Sequence, residues 1–372
     1  MKKKATLLLA LALALCLAGC NSFTKEKPAP EGDSGTESAA VFSGGSGTED
    51  DPFLITTADG LAAVADDLAA CYRLDADIGL TGVDWTPIGV FTHTGDENAD
   101  ADMPDAADAF SGIFDGGSHT ISNLTVDLPQ GYAVGLFGCL CNAHVYNLTL
   151  DSATVDGSMM AGAVAGYAYN SRLTAVSLTG SNYITGHNGE ARSAEMIGGV
   201  LGRGKNSLVD SCSARANIIL PDTARNAGIL CGDLDTTSVI NGYATGTLKA
   251  GNDCYGLGAV SGSGFGSEEF TNCIAENVQI TVGDNAWMVG GLTGYAGGYE
   301  DETAGLAVTA VSRCAVNGVE ISAGEGASAV GGVIGGGFRT SKDESPTVFT
   351  IADCTVSAAI NGDEAPLTGS PQ

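Results

Sequence analysis

A glycine-closed block of five residues returns seven times in this chain. It reads Val-Gly-Leu-Phe-Gly at Val134–Gly138 and Gly-Ala-Val-Ala-Gly at Gly162–Gly166. It recurs at Gly198–Gly202, Gly228–Gly232, Gly258–Gly262, Gly290–Gly294 and Gly331–Gly335. The closing glycines are 28, 36, 30, 30, 32 and 41 residues apart. A repeat of this length makes a solenoid, because one unit cannot bury its apolar face without a neighbour.

The periodicity extends past the glycines. An apolar column runs through Val145, Leu173, Val209, Val239, Phe270, Val311 and Ile351. Three residues later come Leu148, Val176, Cys212, Gly242, Cys273, Cys314 and Cys354. A further apolar pulse follows, as in Val278, Ile280 and Val282. Each unit therefore holds three short runs of period two, separated by Gly, Asn, Asp and Ser. No helical period lies between them. This pattern predicts an all-β parallel β-helix, each strand pairing with its counterpart in the next coil about 4.8 Å away. A propeller blade needs about 40–45 residues and four strands, more than most of these intervals supply.

Ile197-Gly-Gly-Val-Leu-Gly202, Val289-Gly-Gly-Leu-Thr-Gly294 and Asn241-Gly-Tyr-Ala-Thr-Gly246 resemble the GLUG motif of bacterial surface proteins. The stretch Phe110-Ser-Gly-Ile-Phe-Asp-Gly-Gly-Ser-His-Thr-Ile-Ser-Asn-Leu124 resembles the coil that precedes such repeats. So do Tyr72–Ile78 and Trp85-Thr-Pro-Ile-Gly89. The resemblance covers roughly residues 47–362. It implies a right-handed parallel β-helix of about eight coils on an exported, adhesin-like protein. It brings no catalytic residues with it.

Lys2, Lys3 and Lys4 precede an apolar run from Ala5 to Leu17, then Ala18, Gly19 and Cys20. A basic segment, a short apolar run and small residues before a cleavage point form a secretory signal. The run is too short for a comfortable membrane span. Leu17-Ala-Gly-Cys20 resembles a lipobox, which makes Cys20 the expected lipidation site and first mature residue. Acyl chains there would anchor the protein to the bacterial membrane, facing outside.

The expected organisation follows. Residues 1–19 are the lipoprotein signal peptide. Residues 20–47, rich in Ser, Gly, Glu, Pro and Lys, are a flexible tether. Residues 48–109 form an N-terminal cap, residues 110–362 the coils, and residues 363–372 a disordered tail. The cap contains one short helix, Thr56 to Ala70. Thr56 is its expected N-cap, and Leu61, Val64, Ala65 and Leu68 are its apolar face. It is read as a lid on the first coil, since solenoid ends need covering.

The formal charge is −28, with 44 acidic and 16 basic residues. Such a surface repels nucleic acid and anionic headgroups and disfavours polyanionic glycans. Asp96, Glu97, Asp100, Asp102, Asp105 and Asp108 crowd an insertion between Trp85 and Phe110. That insertion lacks the ligand spacing of the known Ca²⁺ loops, so a solvated loop is expected and no metal or cofactor.

Eleven cysteines suit an exported chain. Cys212, Cys273, Cys314 and Cys354 share one inward column. Stacked side chains about 4.8 Å apart exceed the Cβ spacing a disulfide prefers, so these read as buried apolar thiols, with one bridge between adjacent rungs, such as Cys314 to Cys354, as the alternative. The histidines at 93, 119, 144 and 187 lie near no nucleophile with an orienting acid, and no phosphate loop or metalloprotease motif occurs. No catalytic residue is assigned.

Two candidate binding surfaces remain. Arg225, Tyr255 and Trp287 each lie seven residues before a closing glycine, so they should line one shelf. Two long loops, Tyr295–Ala310 and Gly336–Thr350, replace six-residue turns in consecutive coils. They carry Tyr295, Tyr299, Glu300, Asp301, Phe338, Arg339 and Lys342. Loops interrupting a regular scaffold are where function concentrates. The expected role is binding or adhesion, to a glycan or to a host or bacterial surface protein. The alternatives are a polysaccharide-degrading enzyme and a passive spacer.

Overall fold

The computed structural model describes residues 41–92, 102–190, 192–266, 269–298, 300–301, 305–306, 308–339 and 349–369, without the side chains of 298, 300, 301, 305, 306, 338 and 339. The signal, Cys20 and most of the tether lie outside the described residues. From Val41 onward the chain is a parallel β-helix whose strands stack into four long faces.

Faces 1 and 2 have seven strands each. Face 1 runs from Tyr132–Val134 to Ser328–Gly331, and face 2 from Phe137–Cys141 to Ile334–Arg339. Face 3 has ten strands, from Phe53–Ile55 to Phe349–Ala352; eight of them begin at Ile113–Asp115 or later. Face 4 runs from Ile78–Gly79 to Thr355–Ile360. Every coil-to-coil pairing is parallel. The apolar column read from the repeat is in register: Leu173 pairs with Val209, Val209 with Val239, Val239 with Phe270, Phe270 with Val311 and Val311 with Ile351.

A full coil holds four strands, not the expected three. The glycine block is a hinge between two of them. At Gly198 a Cβ would lie 2.2 Å from the Leu201 carbonyl, so the bend from face 1 to face 2 leaves no room for a side chain. At Gly202 a Cβ would lie 2.5–2.6 Å from backbone atoms of Met160, Ala161 and Gly166 in the preceding coil. The first glycine thus permits the bend and the closing glycine permits the coils to nest. That is the physical content of the repeat.

The interior is one continuous apolar core. Its N-terminal end is aromatic: Phe137 lies 5.0 Å from Phe110 and 5.4 Å from Phe114, ring to ring. Phe270 and its column neighbours Val239 and Val311 are fully buried. Each such side chain contributes about 1.5–3 kcal/mol through removal from water.

Several boundaries differ from the sequence expectation. Residues 41–47, expected in the tether, are packed on the cap: Phe42 stacks on Phe53 at 4.7 Å, and Ser43 donates to the Leu54 carbonyl. The helix is shorter, Ala58–Ala62 followed by a 3₁₀ turn Ala63–Asp66, and its N-cap is Thr57, whose Oγ1 accepts from Gly60 N at 3.1 Å. Leu61 and Val64 are buried but Ala65 is exposed, because the helix must end in time to release the strand Cys71–Leu74. Residues 363–369, expected as a tail, complete the last coil. Gly332 N and Val333 N donate to the carbonyls of Pro366 and Leu367, and Gly369 N donates to Ile334 O.

The cysteine column lies at the corner between faces 3 and 4. Cys212, Cys273 and Cys314 are buried, Cys354 at the last coil is only partly so, and all four are unbridged. Each of the three buried thiols donates to a carbonyl of an earlier coil, to Leu173, Val239 and Phe270 respectively, at 3.2–3.4 Å.

Candidate functional site

Strand alternation turns every second side chain of faces 1 and 2 outward. On face 1 this aligns Met159, Glu195, Arg225, Tyr255, Trp287 and Ser328 in register. The shelf expected from the sequence is therefore continuous, and its members touch. Arg225 Nη1 lies 3.3 Å from Glu195 Oε1, and its guanidinium sits 5.3 Å from the Tyr255 ring centre. The Tyr255 and Trp287 rings are 5.0 Å apart with planes inclined by 41°. Trp287 keeps 37% of its surface exposed, which leaves a face for a ligand.

The residue after each shelf position has left-handed backbone: Met196, Asn226, Gly256 and Met288. This swings the chain around the hinge. It also places Met160 with Tyr167, Cys139 and Cys141 in a small apolar cluster distinct from the main core. Faces 1 and 2 thus meet in an external corner that carries its own packed side chains.

The outward ladder of face 2 reads Tyr167, Arg203, Asp233, Ser263, Tyr295. Two residues along, Lys205 pairs in register with Asp235. No sequence motif singles these out. Their signal is positional: each member of the first ladder directly follows a closing glycine.

The charges on this ladder are matched to each other and to the acidic insertion. Asp102 accepts from Arg203 Nη1 at 3.1 Å, from Arg203 Nη2 at 3.0 Å and from Lys205 Nζ at 2.9 Å. Arg203 Nε lies 3.2 Å from Asp233 Oδ2, and Lys205 Nζ 3.5 Å from Asp235 Oδ2. Asn226 Nδ2 donates to Asp233 Oδ1 at 3.2 Å, and the Ser263 hydroxyl donates to the same oxygen. Tyr167 OH donates to the Asp102 carbonyl at 2.8 Å, and Phe91 packs edge-on against the Tyr167 ring at 5.3 Å. The described part of the insertion is therefore docked on the first rungs of the corner, where a solvated loop was expected. His93, Asp96, Glu97 and Asp100 lie outside the described residues.

The two carboxylates on Arg203 are shifted in opposite directions. At Asp102 burial raises the pKa, but hydrogen bonds from Arg203 and Lys205 outweigh it and the carboxyl ends below its usual range. At Asp233 burial is more complete; it outweighs Arg203 and Ser263 and lifts the carboxyl above its usual range. Both groups face protein cations rather than open space. The arrangement clamps the insertion to the coil and presents no carboxylate pair to a substrate.

Tyr295, expected in a protruding loop, lies in the strand Thr293–Gly298. Its ring stands 6.5 Å from Tyr255, so it belongs with the shelf across the corner. Burial and the charge of Asp233 raise its phenol pKa, while Ser263 and Asn226 hydrogen-bond it. Of the other loop candidates, Glu300–Asp301 pairs antiparallel with Gly305–Leu306, forming a hairpin. Phe338 and Arg339 end a face 2 strand, in register with Gly297 and Gly298. The two loops thus leave adjacent rungs side by side. Tyr299 and Lys342 lie outside the described residues.

Each described histidine lies against a side chain of a neighbouring coil. His119 Nδ1 contacts Asp77 Oδ1 at 3.2 Å, His144 Nε2 contacts Thr174 Oγ1 at 3.3 Å, and His187 Nε2 lies 3.8 Å from Asp156. Among the described residues no cluster of His, Cys, Asp or Glu is gathered to hold a metal ion.

No protein-family model matches the chain. It is 35% identical over 193 residues to "Halomucin" of Haloquadratum walsbyi, a stretch covering 50% of this chain and 2% of that protein. It is 34% identical over 147 residues to a "Putative Gly-rich membrane protein" of Evansella cellulosilytica, covering 36% of this chain and 15% of that one. The chain thus spans a small part of the length of these relatives. Among solved structures, a "putative immunoglobulin A1 protease" from Bacteroides ovatus superposes with TM-score 0.49 and 18% identity, over 87% of this chain and 81% of that one.

Proposed function

We propose that this protein is an exported, lipid-anchored β-helix at the bacterial cell surface, and that it binds an extracellular glycan or protein through the face 1 shelf. The Arg225–Tyr255–Trp287 stack carries the reading. Three consecutive rungs place a cation and two rings in one line, with the last ring open to solvent. Large rigid aromatic faces supply contact area at low entropic cost, and Arg beside them adds directional hydrogen bonds. The lipobox-like Leu17–Cys20 supports the anchor. The name of the Evansella relative, a Gly-rich membrane protein, supports the location.

The test is a binding screen of the soluble ectodomain on glycans and surface proteins, repeated with Trp287→Ala and Tyr255→Ala. Loss of the captured ligand in both variants, with unfolding unchanged, is the expected result. Unchanged capture removes the shelf from the reading. The paired loops then become the better surface, and trimming each to six residues tests them directly.

A further inference from the structure

The shelf is a ladder along the solenoid axis, and this geometry selects among ligands. Its rungs repeat about every 4.8 Å, close to the length of one sugar unit in an extended chain. A glycan lying along the axis meets one outward side chain per sugar. A ligand lying across the axis would meet only one rung.

Charge narrows the class further. The cations on the two ladders are already matched: Arg225 by Glu195, Arg203 by Asp102 and Asp233, and Lys205 by Asp102 and Asp235; Arg192, off the ladders, packs against Met159 at 3.5 Å, before the open rungs. An anionic ligand would have to displace one of these carboxylates while approaching a chain of net charge −28. A neutral ligand has neither cost, and ring stacking does not require charge.

The corner is closed at one end. Asp102, Phe91 and Ala109 sit against the rungs of Cys139, Tyr167 and Arg203. The rungs beyond are those of Arg225, Tyr255, Trp287 and Ser328, with Tyr295 as the opposite wall at Tyr255.

We propose that the shelf binds a neutral, linear polysaccharide aligned with the solenoid axis, about four sugars long at the site given the rung spacing. This rests on the shelf being the binding surface.

The test titrates the purified ectodomain with neutral gluco-oligosaccharides of two to eight sugars by calorimetry, beside uronic acid oligomers of matched length. Affinity is expected to rise with length up to about four sugars and then level off, in step with the rung count. Trp287→Ala and Tyr255→Ala should each weaken binding about tenfold or more, the loss typical of a central aromatic contact. Tyr183→Ala, an exposed ring on face 4, should leave it unchanged. Binding that saturates at one or two sugars overturns the axial arrangement. Stronger binding of the uronic acid series overturns the neutral class. Glycan binding that both shelf variants retain overturns the shelf itself. If no glycan binds but a surface protein is captured and lost in both variants, the shelf stands and the polysaccharide assignment fails.

Discussion

Asp102 and Arg203, 101 residues apart in sequence, form a two-pronged ion pair at 3.0 and 3.1 Å that fastens the acidic insertion to the third rung of face 2. Lys205 reinforces it at 2.9 Å from the same carboxylate. The contact turns a segment that composition marks as solvent-exposed into part of the corner's wall. Its strength depends on burial, since Arg203 is 16% exposed while Asp102 is 35% exposed.

Asp102→Asn should therefore lower stability by about 1–2 kcal/mol near pH 7, less than a fully buried pair because water screens Asp102. The native carboxyl lies below its ordinary range, so it binds fewer protons than the unfolded chain. Its contribution is complete above about pH 4 and disappears as pH falls through the native value. Urea unfolding of both proteins across pH 2–7 checks this: the gap should close toward acid. A gap that persists at pH 2 would assign the loss to packing.

The closing glycines differ in what surrounds them from a glycine in the cysteine column. Gly202→Ala would drive a Cβ to within 2.5–2.6 Å of backbone atoms in the preceding coil, which cannot move independently. A loss of about 3 kcal/mol or more is expected. Gly242→Ala would meet the Val239 and Leu230 side chains and the Cys273 sulfur at 2.7, 3.1 and 3.4 Å. Side-chain ends can shift, so a smaller loss is expected. Thermal unfolding ranks the two, and equal losses would show that nesting of the backbones is not what the closing glycine serves.

The Cys212 thiol is pushed up to about 12 by burial. At pH 8 it stays protonated and closed to reagents, so iodoacetamide should label Cys212 only after unfolding. Peptide mass spectrometry of native and denatured samples reads this out. Finding Cys212 in a disulfide would contradict the column of thiols hydrogen-bonded to backbone carbonyls.

Cys20→Ala should abolish lipidation, leaving unprocessed precursor or releasing soluble protein. Detergent phase partitioning distinguishes the two proteins. A variant that still partitions with the membrane would remove the lipid anchor from the proposed function.

Phe270 is fully buried between Val239 and Val311. Phe270→Ala should cost about 3–5 kcal/mol, because the stacked coils on both sides prevent the cavity from collapsing. Chemical denaturation measures it, and a cost below about 1 kcal/mol would show that the interior is not close-packed at that rung.

The repeat determined the parallel β-helix and its stacking columns, though not that a coil holds four strands and not three. Glycine spacing and the column from Val145 to Ile351 state which residues stack, because a solenoid's contacts join equivalent positions of neighbouring units. The shelf was legible for the same reason, since Arg225, Tyr255 and Trp287 hold one repeat position. Other features required the fold. The glycine block reads as a turn until the backbones of two coils are seen to nest through it. Tyr295 reads as the start of a loop, yet its strand continues and carries it to Tyr255. The Asp102 clamp joins an insertion to a rung that no periodicity connects to it. Contacts within the repeat are fixed by counting residues. Contacts between the repeat and its interruptions depend on where a loop's path brings a side chain, and no period in the sequence records that.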